Sequence, residues 1–119
     1  MKTSDAVTAL AALAQDTRLD VFRLLVQQGT SGLAAGEIAE QLGVSPATLS
    51  FHLKELAHAK LVTARQDGRF VFYAANFREM NGLLAFLTEN CCAADAGACA
   101  LNPCAPSTNT GKSRRKATA

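Results

Sequence analysis

Ala39-Glu40-Gln41-Leu42-Gly43-Val44-Ser45-Pro46-Ala47-Thr48-Leu49-Ser50-Phe51-His52-Leu53-Lys54-Glu55-Leu56-Ala57-His58-Ala59-Lys60 is the stretch that decides the fold. A helix ends near Leu42, and Gly43 permits the tight reversal after it. Ser45 suits an N-cap, and Pro46 suits the first helical position, where its missing amide proton would have no partner anyway. Leu49, Leu53 and Leu56 recur on one face, with Val44 just upstream. Thr48, Ser50, His52, Lys54 and Glu55 are assigned to the other face. Helix, short glycine-containing turn, second helix is the helix-turn-helix pattern. Such a second helix can enter a DNA major groove and present side chains to base edges. The competing interpretation is a helical hairpin that only packs, and the rest of the chain decides between them.

Downstream of Lys60 the period changes. Leu61 to Arg65 and Arg69 to Tyr73 read as strands, joined by Gln66, Asp67 and Gly68. Asp-Gly is a strong hairpin signal, and a hairpin directly after a helix-turn-helix is a wing, with Arg65 and Arg69 bracketing its tip. Upstream, Ser4 and Asp5 start a first helix whose apolar face is Val7, Leu10, Ala11, Leu13 and Ala14. Asp16 or Thr17 caps a second helix to Gln28, with Leu19, Phe22, Leu25 and Val26 at helical spacing. Gly29 to Gly32 form a loop, and a third helix runs from about Ala34 to Leu42. Asn76 caps a last helix from Phe77 to about Asn90, with Met80, Leu83, Leu84 and Leu87 at i, i+3, i+4 and i+7. Its stripe either covers its own core or forms a dimer seam with the first helix.

The expected fold is therefore mainly α with a β-hairpin wing, a winged helix-turn-helix that forms a homodimer. Residues 1–92 are the DNA-binding and dimerisation domain, 93–104 a cysteine-containing ligand-binding segment, and 105–119 a disordered basic tail. At 119 residues and 49% hydrophobic content the chain suffices for one small domain with a modest core, which dimerisation would supplement.

The net charge of +2 is unevenly placed. Lys112, Arg114, Arg115 and Lys116 supply four basic groups, while residues 1–104 carry 8 basic and 10 acidic side chains, a balance of −2. A nucleic-acid binder usually carries a clear basic excess. Affinity here must come from local placement of a few charges, doubled in a dimer. No apolar run approaches the roughly 20 residues of a membrane span, and Asp5 with the helical spacing of Val7, Leu10 and Leu13 argues against a signal peptide. The expected compartment is the cytoplasm, where thiols stay reduced.

All four cysteines, Cys91, Cys92, Cys99 and Cys104, lie in the pattern Cys-Cys-x6-Cys-x4-Cys. The small residues 93–98 let Cys99 fold back to the adjacent pair at low closure cost, so three thiolates can converge. Soft ligands choose thiophilic ions. Trivalent arsenic and antimony take three sulfurs, whereas structural zinc usually wants four ligands in paired Cys-x-x-Cys. Unliganded thiols and thiol-redox sensing remain open on spacing alone. No nucleophile–base pair or phosphate loop points to an enzyme.

Leu13-Ala14-Gln15-Asp16-Thr17-Arg18-Leu19, Leu49-Ser50-Phe51-His52-Leu53-Lys54-Glu55-Leu56, Leu61-Val62 and Asp67-Gly68-Arg69 together resemble the ArsR family of bacterial winged-helix repressors. The resemblance spans roughly residues 5–90. It implies a homodimer, with the first and last helices at the seam, that represses an operon until a metal or metalloid binds. Two departures are informative. Arsenic sensors of the best-known type carry Cys-Val-Cys in the third helix, and Leu33-Ala34-Ala35-Gly36-Glu37 has no cysteine. Zinc-sensing members use Asp and His on the last helix, and Phe77 to Asn90 has neither. Thr88-Glu89-Asn90-Cys91-Cys92 with Cys99-Ala100-Leu101 instead resembles variant arsenite sensors with three cysteines after the last helix. The resemblance thus implies Cys91, Cys92 and Cys99 as ligands, with Cys104 spare or substituting for Cys99.

The function expected is an arsenic(III)-responsive repressor that binds double-stranded operator DNA as a dimer. Ser45, Ala47, Thr48, Ser50 and His52 are the candidates near bases. Lys54, Arg65 and Arg69 are the candidates for phosphate. As(III) is the expected inducer, with Sb(III), methylarsenite or zinc as alternative ligands of the same machine.

Overall fold

The computed structural model describes residues 1–94 and divides after Thr88 into two units, Met1–Thr88 and the segment beginning at Glu89. The first unit contains α1 (Thr3–Leu13), α2 (Asp16–Gln28), a 3₁₀ turn (Gly29–Ser31), β1 (Leu33–Ala34), α3 (Ala35–Leu42), α4 (Pro46–His58), β2 (Val62–Asp67), β3 (Phe70–Ala75) and α5 (Phe77–Leu87). Among the described residues, no helix is long and apolar enough to cross a membrane.

The helix-turn-helix is built from local signals. Asp and Glu side chains close first turns: Asp5 accepts the Lys2 amide at 3.3 Å, and Glu37 accepts the Ala34 amide at 3.1 Å. Gly43, at φ +66°, ends α3, and the Val44 amide returns to the Ala39 carbonyl at 3.1 Å. Ser45 then caps α4 by accepting the Thr48 amide at 3.2 Å, with Pro46 at the first helical position.

α4 ends on the same kind of stop without a glycine. Lys60 takes φ +66°, its amide donates to the Ala57 carbonyl at 3.0 Å, and the Leu61 amide donates to the Leu56 carbonyl at 3.0 Å. Leu56 and Leu61 are both fully buried, so the apolar contact that accompanies this stop outweighs the strain at Lys60.

The wing is an antiparallel sheet in the order β1-β3-β2. Val62 pairs with Ala75 and Asp67 with Phe70, which leaves Gly68 and Arg69 as a two-residue turn. The sequence expectation had both strands shorter and ended β3 at Tyr73. β1 lies between the loop expected at Gly29 to Gly32 and the helix expected from about Ala34, where the sequence predicts no strand: Leu33 pairs with Tyr73 and Ala34 with Phe72. Gly32 makes this possible. It sits at φ +71°, and a Cβ there would overlap the Tyr73 carbonyl oxygen.

Val21, Leu25, Ile38, Leu49, Leu53, Leu56 and Leu61 are the largest fully buried side chains. They come from α2, α3, α4 and the entry to β2, so α4 is fixed by a core that runs under it. Three details of the helices differ from the expectation. α1 turns Ala6 and Ala9 inward, while Val7 and Leu10 face solvent. The small residues let α1 lie close to the core, and the large ones are left outside. α2 is capped by Gln15, which accepts the Arg18 amide at 2.9 Å, and not by Asp16 or Thr17. α5 stops at Leu87, three residues before its expected end, and buries Leu83 while Leu84 and Leu87 stay exposed.

The left-handed Lys60 is a removable strain. Lys60→Gly is expected to raise the unfolding free energy by about 0.5–1 kcal/mol, the strain relieved less the entropy a glycine adds to the unfolded chain. Urea denaturation of the two proteins measures it.

Candidate nucleic-acid interface and thiol pair

The rotation of α4 about its own axis settles what it can present. Leu49, Leu53 and Leu56 face the core, so the outward row is Ala47, Ser50, Phe51 and Lys54, at i, i+3, i+4 and i+7, all exposed. Ser45 and Thr48 stand at the helix start. Ser45 Oγ accepts the Thr48 amide and donates to Thr48 Oγ1 at 2.9 Å, so the Thr48 hydroxyl proton remains available to a ligand. Ser45 itself is occupied as the cap.

His52 is not on the presented face. It is only 8% exposed and packs inward. A step of three residues from Leu49 turns the helix by about 300°, which leaves His52 about 60° from the leucine stripe. Its polar character had suggested the outer face, but the helical arithmetic places it at the edge of the inner one. Arg18 Nη1 lies 3.4 Å from His52 Nδ1, and Arg18 Nε donates to the Ala12 carbonyl at 2.6 Å. A guanidinium only donates, so Nδ1 accepts and the ring proton belongs on Nε2. Arg18 thus ties the end of α1 to the middle of α4, and His52 is a positioning residue.

The side chain that sequence reasoning passed over is Phe51. It is 57% exposed in the centre of the outward row, and its ring meets His52 edge-on at 5.5 Å with an interplanar angle of 64°. Two residues beyond Leu49 is about 200° of rotation, so the spacing pointed to it.

On the wing, Arg65 lies opposite Phe72 across the β2–β3 pair, and its guanidinium carbon sits 5.1 Å from that ring's centroid. This contact lays the cation along the wing surface. Arg69 is in the turn, beside the exposed Phe70.

The second unit is described as far as Ala94. Asn90 and Cys92 take left-handed φ values of 58° and 61°, and the Ala93 amide donates to the Asn90 carbonyl at 3.0 Å. This turn sets Cys91 Sγ 3.5 Å from Cys92 Sγ, in contact but well beyond a disulfide bond length. Among the described residues no three His, Cys, Asp or Glu side chains converge on a common point. Cys99 and Cys104, and the basic tail, lie outside the described residues.

A helix-turn-helix domain model matches residues 13–65 of the chain. The arsenical resistance operon repressor of Bacillus subtilis (strain 168) is 37% identical over 81 residues, covering 68% of this chain and 73% of that protein. The chain belongs to the ArsR family of transcriptional repressors. Two solved structures place its architecture in the same family. An ArsR-like transcriptional regulator from Rhodococcus sp. RHA1 superposes with a TM-score of 0.67 at 27% identity, covering 88% of this chain and 96% of that one. A homodimeric winged helix-turn-helix DNA-binding domain from Mycobacterium bovis superposes with a TM-score of 0.60 at 28% identity, covering 71% and 76%.

The chain thus carries the helix-turn-helix, α3 and α4, and the β2–β3 wing of a family of DNA-binding regulators rather than enzymes. The structure brings Ala47, Thr48, Ser50 and Lys54 together on one exposed surface, adds Phe51 to it and removes His52. Lys54 and Arg69 are exposed cations suited to phosphate. Lys54→Ala and Arg69→Ala should each weaken duplex binding about equally across sequences. Each should also reduce the slope of log affinity against log salt by about 1 per cation removed. Anisotropy titrations between about 50 and 200 mM salt read both quantities. An unchanged slope would remove that residue from the phosphate contacts.

Proposed function

We propose that this chain is a homodimeric repressor that leaves its operator when As(III) is held by the thiolates of Cys91, Cys92 and Cys99. The observation that carries the proposal is the 3.5 Å separation of Cys91 Sγ and Cys92 Sγ in a chain of this family. Two sulfurs bound at about 2.3 Å to one soft centre, with bond angles of about 90–110°, lie about 3.3–3.8 Å apart. The pair therefore fits chelation of a single thiophilic ion without rearrangement. Cys99 supplies the third thiolate, with Cys104 as its substitute. A pyramidal As(III) or Sb(III) centre is satisfied by three sulfurs, and methylarsenite by two.

The rest of the chain's contribution is mechanical. Cys91 follows Leu87, the last residue of α5, by four positions. α1 and α5 leave Val7, Leu10, Leu84 and Leu87 exposed, between 42% and 58%. Large apolar side chains left exposed on two neighbouring helices suit a second copy of the chain. With α5 in the seam, tying residues 93–99 onto the cysteine pair alters the placement of two reading helices that must enter major grooves roughly 34 Å apart. A coupling of about 1–3 kcal/mol per site is typical of allostery. By linkage, operator DNA weakens metalloid binding by the same factor that metalloid weakens DNA binding.

The seam is tested first. Leu84→Glu together with Leu87→Glu should convert the dimer to monomer in sedimentation and abolish operator binding while the helical spectrum is retained. A dimer that survives both charges would place the seam elsewhere.

The ligand is tested by titrating the reduced protein on its operator with arsenite, antimonite, methylarsenite and zinc. Arsenite should release DNA from the unmodified chain, and Cys91→Ser, Cys92→Ser or Cys99→Ser should each prevent release. Methylarsenite release that survives Cys99→Ser would make a two-thiol ligand the inducer. Release by peroxide alone, with a disulfide visible by mass, would replace the metalloid reading with a thiol-redox one, which the closeness of the two sulfurs also permits.

A further inference from the structure

We infer that Phe51 recognises a thymine through its 5-methyl group and sets the sequence preference of α4. The inference rests on the DNA-binding role proposed above and names what the outward row of α4 reads. Pro46–His58 contains no Asn, Gln or Arg. The amide and guanidinium pairings with adenine and guanine are therefore missing from this helix, which leaves Lys54 as its candidate for guanine. Ser50 and Thr48 offer hydroxyls that donate or accept with almost any base. Lys54 is a single flexible cation and serves phosphate equally well.

What remains in the centre of the row is an aromatic ring, 57% exposed, flanked by the small Ala47 and by Ser50. The thymine methyl is the one apolar group that a base pair presents in the major groove. Ring and methyl are matched in chemistry, and the match favours thymine over the other bases at that position. The ring is also held in place. Its edge-on contact with His52 at 5.5 Å, the 3.4 Å approach of Arg18 to His52 and the 2.6 Å bond from Arg18 to Ala12 link it to the core. An oriented ring loses little freedom when it closes on a methyl group.

The experiment begins with selection of tight-binding duplexes from a random-sequence DNA pool by the full chain. Each thymine of the selected sequence is then replaced singly by uracil, which removes only the methyl group. A uracil in one half-site is expected to weaken binding by about 4-fold, and one in each by about 15-fold, as the loss of a buried methyl implies. Phe51→Ala, an exposed substitution that leaves the core untouched, should bind thymine and uracil duplexes equally. Thermal melting confirms that the variant folds.

Indifference of the unmodified chain to uracil at every position overturns the inference. So does a uracil effect of the same size in Phe51→Ala, which would assign the methyl to another side chain or to DNA shape. A selected sequence without a shared thymine overturns it as well. Failure to select any duplex is a separate result, because it removes the DNA-binding role itself.

Discussion

The burial of Leu49, Leu53 and Leu56 is the constraint on which the rest of the molecule depends. Three leucines on one side of a 13-residue helix leave α4 a single rotation about its axis. Turning it by one residue would drag at least two of them into water, at about 1.5–3 kcal/mol each. Every outward assignment follows from that. Ala47, Ser50, Phe51 and Lys54 face solvent because they lie opposite the leucines, and His52 is inside because it lies beside them. The stops at both ends act to the same effect. Gly43 and Ser45 fix where α4 begins, and the Leu56–Leu61 contact fixes where it ends.

α1 and α5 show the opposite arrangement. A lone globular domain puts its large apolar side chains inside and its small ones wherever space is short. Here α1 turns alanines inward and Val7 and Leu10 outward, and α5 leaves Leu84 and Leu87 exposed. The apolar stripe read from the α1 sequence was real, but it points away from this chain's own core. Periodicity identifies an apolar face without saying whose core the face completes. That distinction needs the three-dimensional packing, and here the large side chains of α1 are left outside, suited to a second copy.

Most of the fold was legible because each element carries its own local signal. Ser45-Pro46 and Gly43 mark the turn, Asp67-Gly68 marks the hairpin, and Asn76 caps α5 by accepting the Glu79 amide at 3.2 Å. β1 was not legible, because two residues have no period. Only the close approach of Gly32 to Tyr73 reveals it. In the candidate site, Thr48, Ser50 and Lys54, read as lying opposite the leucines, are exposed, as is Ala47. His52 was assigned to the outer face because residue type was weighed above helical angle, and Phe51 was assigned to neither face although the angle turns it outward. The adjacency of Cys91 and Cys92 was plain from the sequence, but the left-handed turn that draws their sulfurs together was not.

β1 is short, but it has a long reach. It runs straight into α3, and its two residues are stitched to Tyr73 and Phe72 in the middle strand of the sheet. The base of the wing and the helix ahead of the turn are thereby welded, and α3 is joined to α4 by only three residues. Flexing the hairpin against the helices would tear that seam. Wing and helix pair are thereby tied into a single jaw. If two copies pair as proposed, a signal has no need to reshape the jaw's teeth; altering the gap between two jaws would be enough to spoil the bite.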